Sequence, residues 1–130
     1  MKFNNLIPEL YVSDFKKSFK FYTDLGFKIE YQRDNPDFAF LSFQKSQIMI
    51  QQQEPDWTTG KLEYPYGRGI NFQIEVKNID DLFSSIIKNN YPIKSPIEES
   101  HYKQNNKNLI CREFLIMDPD GYLLRFSQEL

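Results

Sequence analysis

Few residues in this chain of 130 can do chemistry, and their spacing limits which chemistry is available. The acids that could gather are Glu9, Glu75 and Glu113. Strand alternation puts Glu9 and Glu75 on the face shared by Ile7 and Asn71, while Glu113 falls between cavity and core with Arg112 beside it as an ion-pair partner. That pattern fits salt bridges and solvated strand faces better than a carboxylate metal cluster. The one histidine, His101, lies in a polar stretch, where a lone imidazole is usually solvated. Cys111 precedes Arg112, a neighbour that favours a thiolate, yet no histidine is near in sequence and a strand cysteine usually packs. Gly67-Arg68-Gly69 has the spacing of neither nucleotide-binding fingerprint. Covalent and phosphate chemistry are thus poorly supported, and the group that most needs explaining is a cation, Arg125.

Arg125 belongs to the closing stretch Cys111 to Gln128, CREFLIMDPDGYLLRFSQ. Two runs of β-forming residues, Phe114 to Met117 and Tyr122 to Phe126, flank Asp118-Pro119-Asp120-Gly121, a turn in which proline sets φ and glycine takes the left-handed position. The pattern predicts a β-hairpin. Alternation separates Leu124 and Phe126 from Leu123, Arg125 and Ser127, so the guanidinium faces either solvent or a polar cavity.

The elements that must position these groups follow from the periodicity. Leu6 to Val12 alternates as a strand, and Pro8, unable to donate to a ladder, places it at an edge, a bulge or a strand start. Ser13 or Asp14 caps a helix with Phe15, Phe19 and Tyr22 inward and Lys16, Lys17 and Lys20 outward, ending at Gly26. Strands follow at Phe27 to Gln32, Phe38 to Phe43 and Gln47 to Gln53, with a turn at Asn35-Pro36. Residues 54–69 break the pattern as an aromatic connector carrying Trp57, Tyr64 and Tyr66, rich enough in rings to fold over a ligand. Ile70 to Val76 is again a strand. Asn78 caps a helix with Ile79, Leu82, Phe83, Ile86 and Ile87 on its apolar face, ended by Asn89-Asn90; Tyr91 to Lys94 opens another strand, and Ser95 to Asn108 reads as a long polar loop.

Laying one half on the other matches Val12 with Val76, Phe19 with Phe83 and Ile29 with Ile93. The chain therefore reads as one domain, 1–130, built from two βαβββ modules at 6–53 and 70–128 joined by the 54–69 connector. Two such modules can form curved mixed sheets around a cavity, an α+β architecture.

Composition excludes several classes of partner. A net charge of −2 leaves no basic footprint for nucleic acid, and no apolar run reaches membrane-spanning length. A single cysteine excludes an internal disulfide, and the N-terminus has no signal-peptide pattern, so a cytoplasmic protein is expected. Aromatic residues make up 16% of the chain, enough for some to line a cavity or an interface.

The opening IPELYVSDFKKSFKFYTDLGFKI and the closing REFLIMDPDGYLLRF, in a duplicated βαβββ frame, resemble the vicinal-oxygen-chelate superfamily: glyoxalase I, extradiol dioxygenases, and fosfomycin- and bleomycin-resistance proteins. In its metal-dependent members, cavity-facing strand positions supply His, Glu or Gln ligands. The matching positions here hold Ile7, Gln51, Asn71 and Arg125: one side chain without a donor atom, two weak carbonyl ligands and a permanent cation. The resemblance is therefore to the metal-free bleomycin-resistance proteins, and it implies a non-enzymatic homodimer without a cofactor. Such a dimer exchanges its first strand at the position of Pro8 and sequesters a bleomycin-like antibiotic or another planar cationic compound in an interface groove. Phe38 matches a groove aromatic of that family. Trp57, Tyr64, Tyr66 and Tyr102 are ring candidates from composition and loop placement, and Glu9, Asn71, Gln73, Arg112 and Arg125 are the polar ones. The family's tryptophan before the closing motif is replaced by Asn108 and Leu109, with Tyr102 available from the same loop. Two alternatives stand beside this reading: a metal-dependent glyoxalase- or dioxygenase-type enzyme with atypical ligands, and a protein-interaction module.

Overall fold

Each half of the chain is ordered by one helix laid on one face of a four-stranded sheet, and the helix caps show why it sits where it does. A computed structural model describes residues 2–55 and 57–130, so Asp56 of the connector lies outside the described residues. The chain divides into two compact units, Met1–Tyr66 and Gly67–Leu130, each considered by itself.

The first unit comprises β1 (Glu9–Val12), α1 (Phe15–Leu25), β2 (Lys28–Arg33), β3 (Phe38–Phe43) and β4 (Ser46–Gln52), with sheet order β1-β4-β3-β2. β1 runs parallel to β4, and the remaining pairs are antiparallel. The second unit repeats this plan with β5 (Asn71–Glu75), α2 (Ile79–Lys88), β6 (Ser95–Gln104), β7 (Lys107–Met117) and β8 (Leu123–Glu129), ordered β5-β8-β7-β6 with β5 parallel to β8. The architecture is thus α+β, with two four-stranded mixed sheets and two helices.

The cap signals act as the sequence predicts. The Asp14 carboxylate accepts from Lys17 N–H at 3.3 Å, and the Asn78 side chain accepts from Asp81 N–H at 3.1 Å. A second device is repeated in both units. Gln52, at the end of β4, accepts from Phe15 N–H through Oε1 at 2.9 Å, and Gln128, on β8, does the same for Ile79 N–H at 2.9 Å. Each helix start is thereby tied to the strand that pairs with the first strand of its unit, which satisfies an N–H that no helical carbonyl can reach. Gly26 ends α1 at φ 109°, a left-handed position that favours glycine.

Leu10, Val12, Leu41, Ile48 and Ile50 are buried in the first unit together with Phe15, Tyr22 and Leu25 of its helix. In the second, Ile74, Phe114, Ile116, Leu124 and Phe126 are buried with Ile79, Leu82 and Ile86. Ile87, expected on the apolar face of α2, is 52% exposed, because it falls at the edge of that face in the helix's last turn.

Several boundaries differ from the sequence reading. β1 begins at Glu9 rather than Leu6, and Leu6 is exposed. Pro8 stands immediately before this edge strand, and its carbonyl accepts from Met49 N–H at 2.9 Å, a bond that needs no proline donor. The strand expected at Tyr91 to Lys94 and the polar loop expected at Ser95 to Asn108 are both corrected. Residues 95–104 form β6, hairpin-paired to a β7 that already starts at Lys107, with Asn105 in the turn at φ 57°. Most residues of β6 are exposed on both faces, so no hydrophobic alternation marks it and the ladder itself defines the strand. Among the described residues, no helix is long and apolar enough to cross a membrane.

Candidate binding groove on the second sheet

The register of the second sheet decides what surrounds Arg125. Gln73, Arg125 and Leu115 lie side by side on β5, β8 and β7, and Glu75, Ser127, Glu113 and Glu98 form the next row. Cys111 pairs with Ser100, and Leu109 with Tyr102. By alternation all of these share the face opposite the one that carries Ile74, Phe114, Leu124 and Phe126. Between the two expectations for Arg125, solvent or a polar cavity, the structure selects a polar groove of about 320 Å³ lined by Gln73, Tyr102, Leu109, Cys111, Glu113 and Arg125. A second hollow of about 230 Å³ shares Tyr102, Glu113 and Arg125 and extends to Ser95, Glu98 and Ser100.

Within the groove the polar groups form a chain. Arg125 Nη2 donates to Gln73 Oε1 at 2.7 Å, and Arg125 Nη1 stands 3.6 Å from Glu113 Oε2. The Tyr102 hydroxyl donates to Glu113 Oε1. The Arg125 side chain is 29% exposed and that of Glu113 10% exposed, so both face the groove from within the sheet rather than from its rim. Glu98 pairs directly opposite Glu113 across β6 and β7 and lines the second hollow together with Glu113 and Arg125.

The remaining candidates from the sequence scatter. Asn71 opens β5 beside Leu123, exposed and on the Gln73 face. Glu9 and Phe38 belong to the first unit. Glu9 opens β1 half-buried; Phe38 is 1% exposed, with the Arg33 guanidinium 3.9 Å from its ring centroid and Tyr31 5.8 Å away. Trp57 is 91% exposed and Tyr64 63% exposed, whereas Tyr66 is buried and donates its hydroxyl to Gln53 Oε1 at 2.6 Å.

Arg112 is not in the groove. It projects from the opposite face of β7 and holds Asp80, in the first turn of α2, through two hydrogen bonds of 2.6 and 3.0 Å. The pairing of Arg112 with Glu113 expected from adjacency is thus replaced, because neighbours on a strand point to opposite faces. Those hydrogen bonds hold the Asp80 carboxyl below the ordinary carboxylate range and raise the Arg112 guanidinium further.

Glu113 and Cys111 are groove residues that alternation along β8 alone does not find, since their membership depends on β7 register and on the hidden strand β6. His101 lies on β6 with its Nε2 3.2 Å from a Glu99 carboxylate oxygen, exposed. The donor set does not fit a divalent metal. Arg125 occupies the middle of the face, and among the described residues no group of three or more His, Cys, Asp or Glu gathers.

The comparisons with known proteins agree with this architecture. The chain is 29% identical to the bleomycin resistance proteins of Geobacillus stearothermophilus and Staphylococcus aureus, with 95% of this chain and 96% of each relative aligned. Its fold resembles that of a glyoxalase/bleomycin resistance protein/dioxygenase from Alicyclobacillus acidocaldarius, with a TM-score of 0.69 at 20% identity, covering 98% of this chain and 92% of the other. It also resembles a bleomycin resistance determinant encoded on the transposon Tn5, with a TM-score of 0.65 at 18% identity, covering 97% and 98% of the two chains. Residues 4–126 match the family described as the Glyoxalase/Bleomycin resistance protein/Dioxygenase superfamily. A repeated sheet-and-helix unit, a closing hairpin built on Asp118-Pro119-Asp120-Gly121 and that match together make the chain a member of the glyoxalase/bleomycin resistance protein/dioxygenase superfamily.

Proposed function

We propose that this chain is a non-enzymatic binding protein of the bleomycin-resistance type, a cytoplasmic homodimer that sequesters a planar, cationic, antibiotic-like compound. The observation that carries the reading is the charge and ring content of the groove: Glu113 stands beside Tyr102 and Arg125, and its cross-strand neighbour Glu98 adds a second carboxylate to the adjoining hollow. A buried carboxylate such as Glu113 attracts a cation more strongly than it would in open water, and an aromatic edge suits a flat ring system. The named relatives support the same class of ligand.

Calorimetric titration of purified, metal-analysed protein with bleomycin tests this. The expected result is binding near one ligand per chain, weakened by added salt and, for Tyr102→Ala, by up to about tenfold, the worth of one aromatic contact. No detectable heat would remove bleomycin as the ligand. A stoichiometric divalent ion, lost only on chelation, would replace the binding role with metal-dependent chemistry.

A further inference from the structure

The geometry points to a specific reading device inside this groove: Arg125 and Glu113 together recognise the edge of a neutral planar group that carries a hydrogen-bond acceptor beside an N–H donor, as in a carboxamide or an amino-substituted nitrogen heterocycle. The inference rests on the groove being a ligand site, and it names the chemical group the site reads.

Three features support it. First, Arg125 Nη1 and Glu113 Oε2 are 3.6 Å apart, close enough to attract but too far to hydrogen-bond. A donor and an acceptor thus stand side by side with capacity unspent. Second, Arg125 Nε is buried and has no hydrogen-bond partner among the described residues, so the guanidinium is only partly satisfied from within the protein. Third, among the described residues the one side-chain hydrogen bond that Arg125 makes is to an amide oxygen, that of Gln73 at 2.7 Å. An amide oxygen is thus a partner that this guanidinium already takes at hydrogen-bond distance.

The other groups around the pair fix its polarity. Tyr102 occupies Glu113 Oε1 and leaves Oε2 facing Arg125 as the available acceptor. Leu109 and Cys111 complete the lining without further charge. A carboxylate ligand would satisfy Arg125 but meet repulsion from Glu113, and an amidinium would do the reverse. A carboxamide satisfies both, with its oxygen on the guanidinium and its N–H on the carboxylate. Glu98 then remains for a cation elsewhere on the same ligand, so a neutral edge and a cationic tail are compatible in one molecule.

The test uses three flat probes of nearly equal shape, benzamide, benzoate and benzamidine, titrated into the isotopically labelled full chain and followed by backbone amide chemical shifts. Benzamide is expected to bind the wild type about fivefold or more tighter than either charged probe, the worth of one well-made hydrogen bond. Glu113→Gln should move the preference toward benzoate, and Arg125→Gln should move it toward benzamidine. The two variants shift the ranking in opposite directions, so a loss of folding in one leaves the other decisive. A charged probe that binds the wild type best, rankings that neither variant changes, or no shifts at Gln73, Tyr102, Cys111 and Arg125 would overturn the inference. Bleomycin binding without benzamide selectivity would leave the drug-binding function standing and remove this device. Benzamide selectivity without bleomycin binding would keep the device and change the ligand.

Discussion

Asp118 shows how a single side chain secures the closing turn. Its Oδ1 accepts from both Asp120 N–H and Tyr122 N–H at 2.9 Å, and the residue is 3% exposed. Asp118→Ala leaves buried donors short of an acceptor, so chemical denaturation should show a loss of about 2 kcal/mol. Arg112 and Asp80 provide a pH test at the same scale. Asp80 is depressed in the folded state, so its contribution is present above its unfolded value and is lost as pH falls through its folded value. Arg112→Gln should therefore lower the melting temperature slightly at neutral pH, less in high salt because the pair is exposed, and make no difference once Asp80 is protonated. A melting series across pH for both proteins checks the sign. Arg125, Gln73 and Tyr102 could each be named from the sequence, but not that they meet, nor that Glu113 joins them. Glu113 lies two residues along from Arg125's cross-strand neighbour Leu115, and Tyr102 sits on a strand the hydrophobic pattern does not mark.

Helix starts are the points where each unit is tied together. Asp14 and Asn78 satisfy one N–H each, and Gln52 and Gln128 satisfy the first N–H of the helix from the neighbouring strand. Asp14→Ala and Asn78→Ala should each cost about 1 kcal/mol in urea titrations. Gly26 closes α1 at φ 109°, and an added Cβ would lie 3.2 Å from Phe43 Cε2. Gly26→Ala is expected to cost about 1 kcal/mol or more, from left-handed strain combined with that contact. The helices were legible because capping residues and 3.6-residue periodicity are local signals. β6 was not, because a strand with polar residues on both faces is held by its partner's backbone rather than by its own apolar pattern.

The whole molecule repeats one plan twice, and the sequence carries that repeat in Val12 against Val76 and Phe19 against Phe83. On the proposed reading two chains assemble, so sedimentation equilibrium should return the mass of two chains at micromolar concentration; a single-chain mass with full bleomycin binding would detach the site from assembly. By itself, the sequence determined the α+β class, both helices with their caps, the closing hairpin and the oddity of a guanidinium on a strand otherwise made for burial. These depend on residues within a few positions of one another. Only the tertiary structure decided that Arg112 turns to Asp80, that Phe38 lies under Arg33, and that Glu113, Tyr102 and Gln73 meet Arg125. Those outcomes depend on strand register, and register is set by long-range pairing that shifts a side chain from one face to the other with a single-residue step.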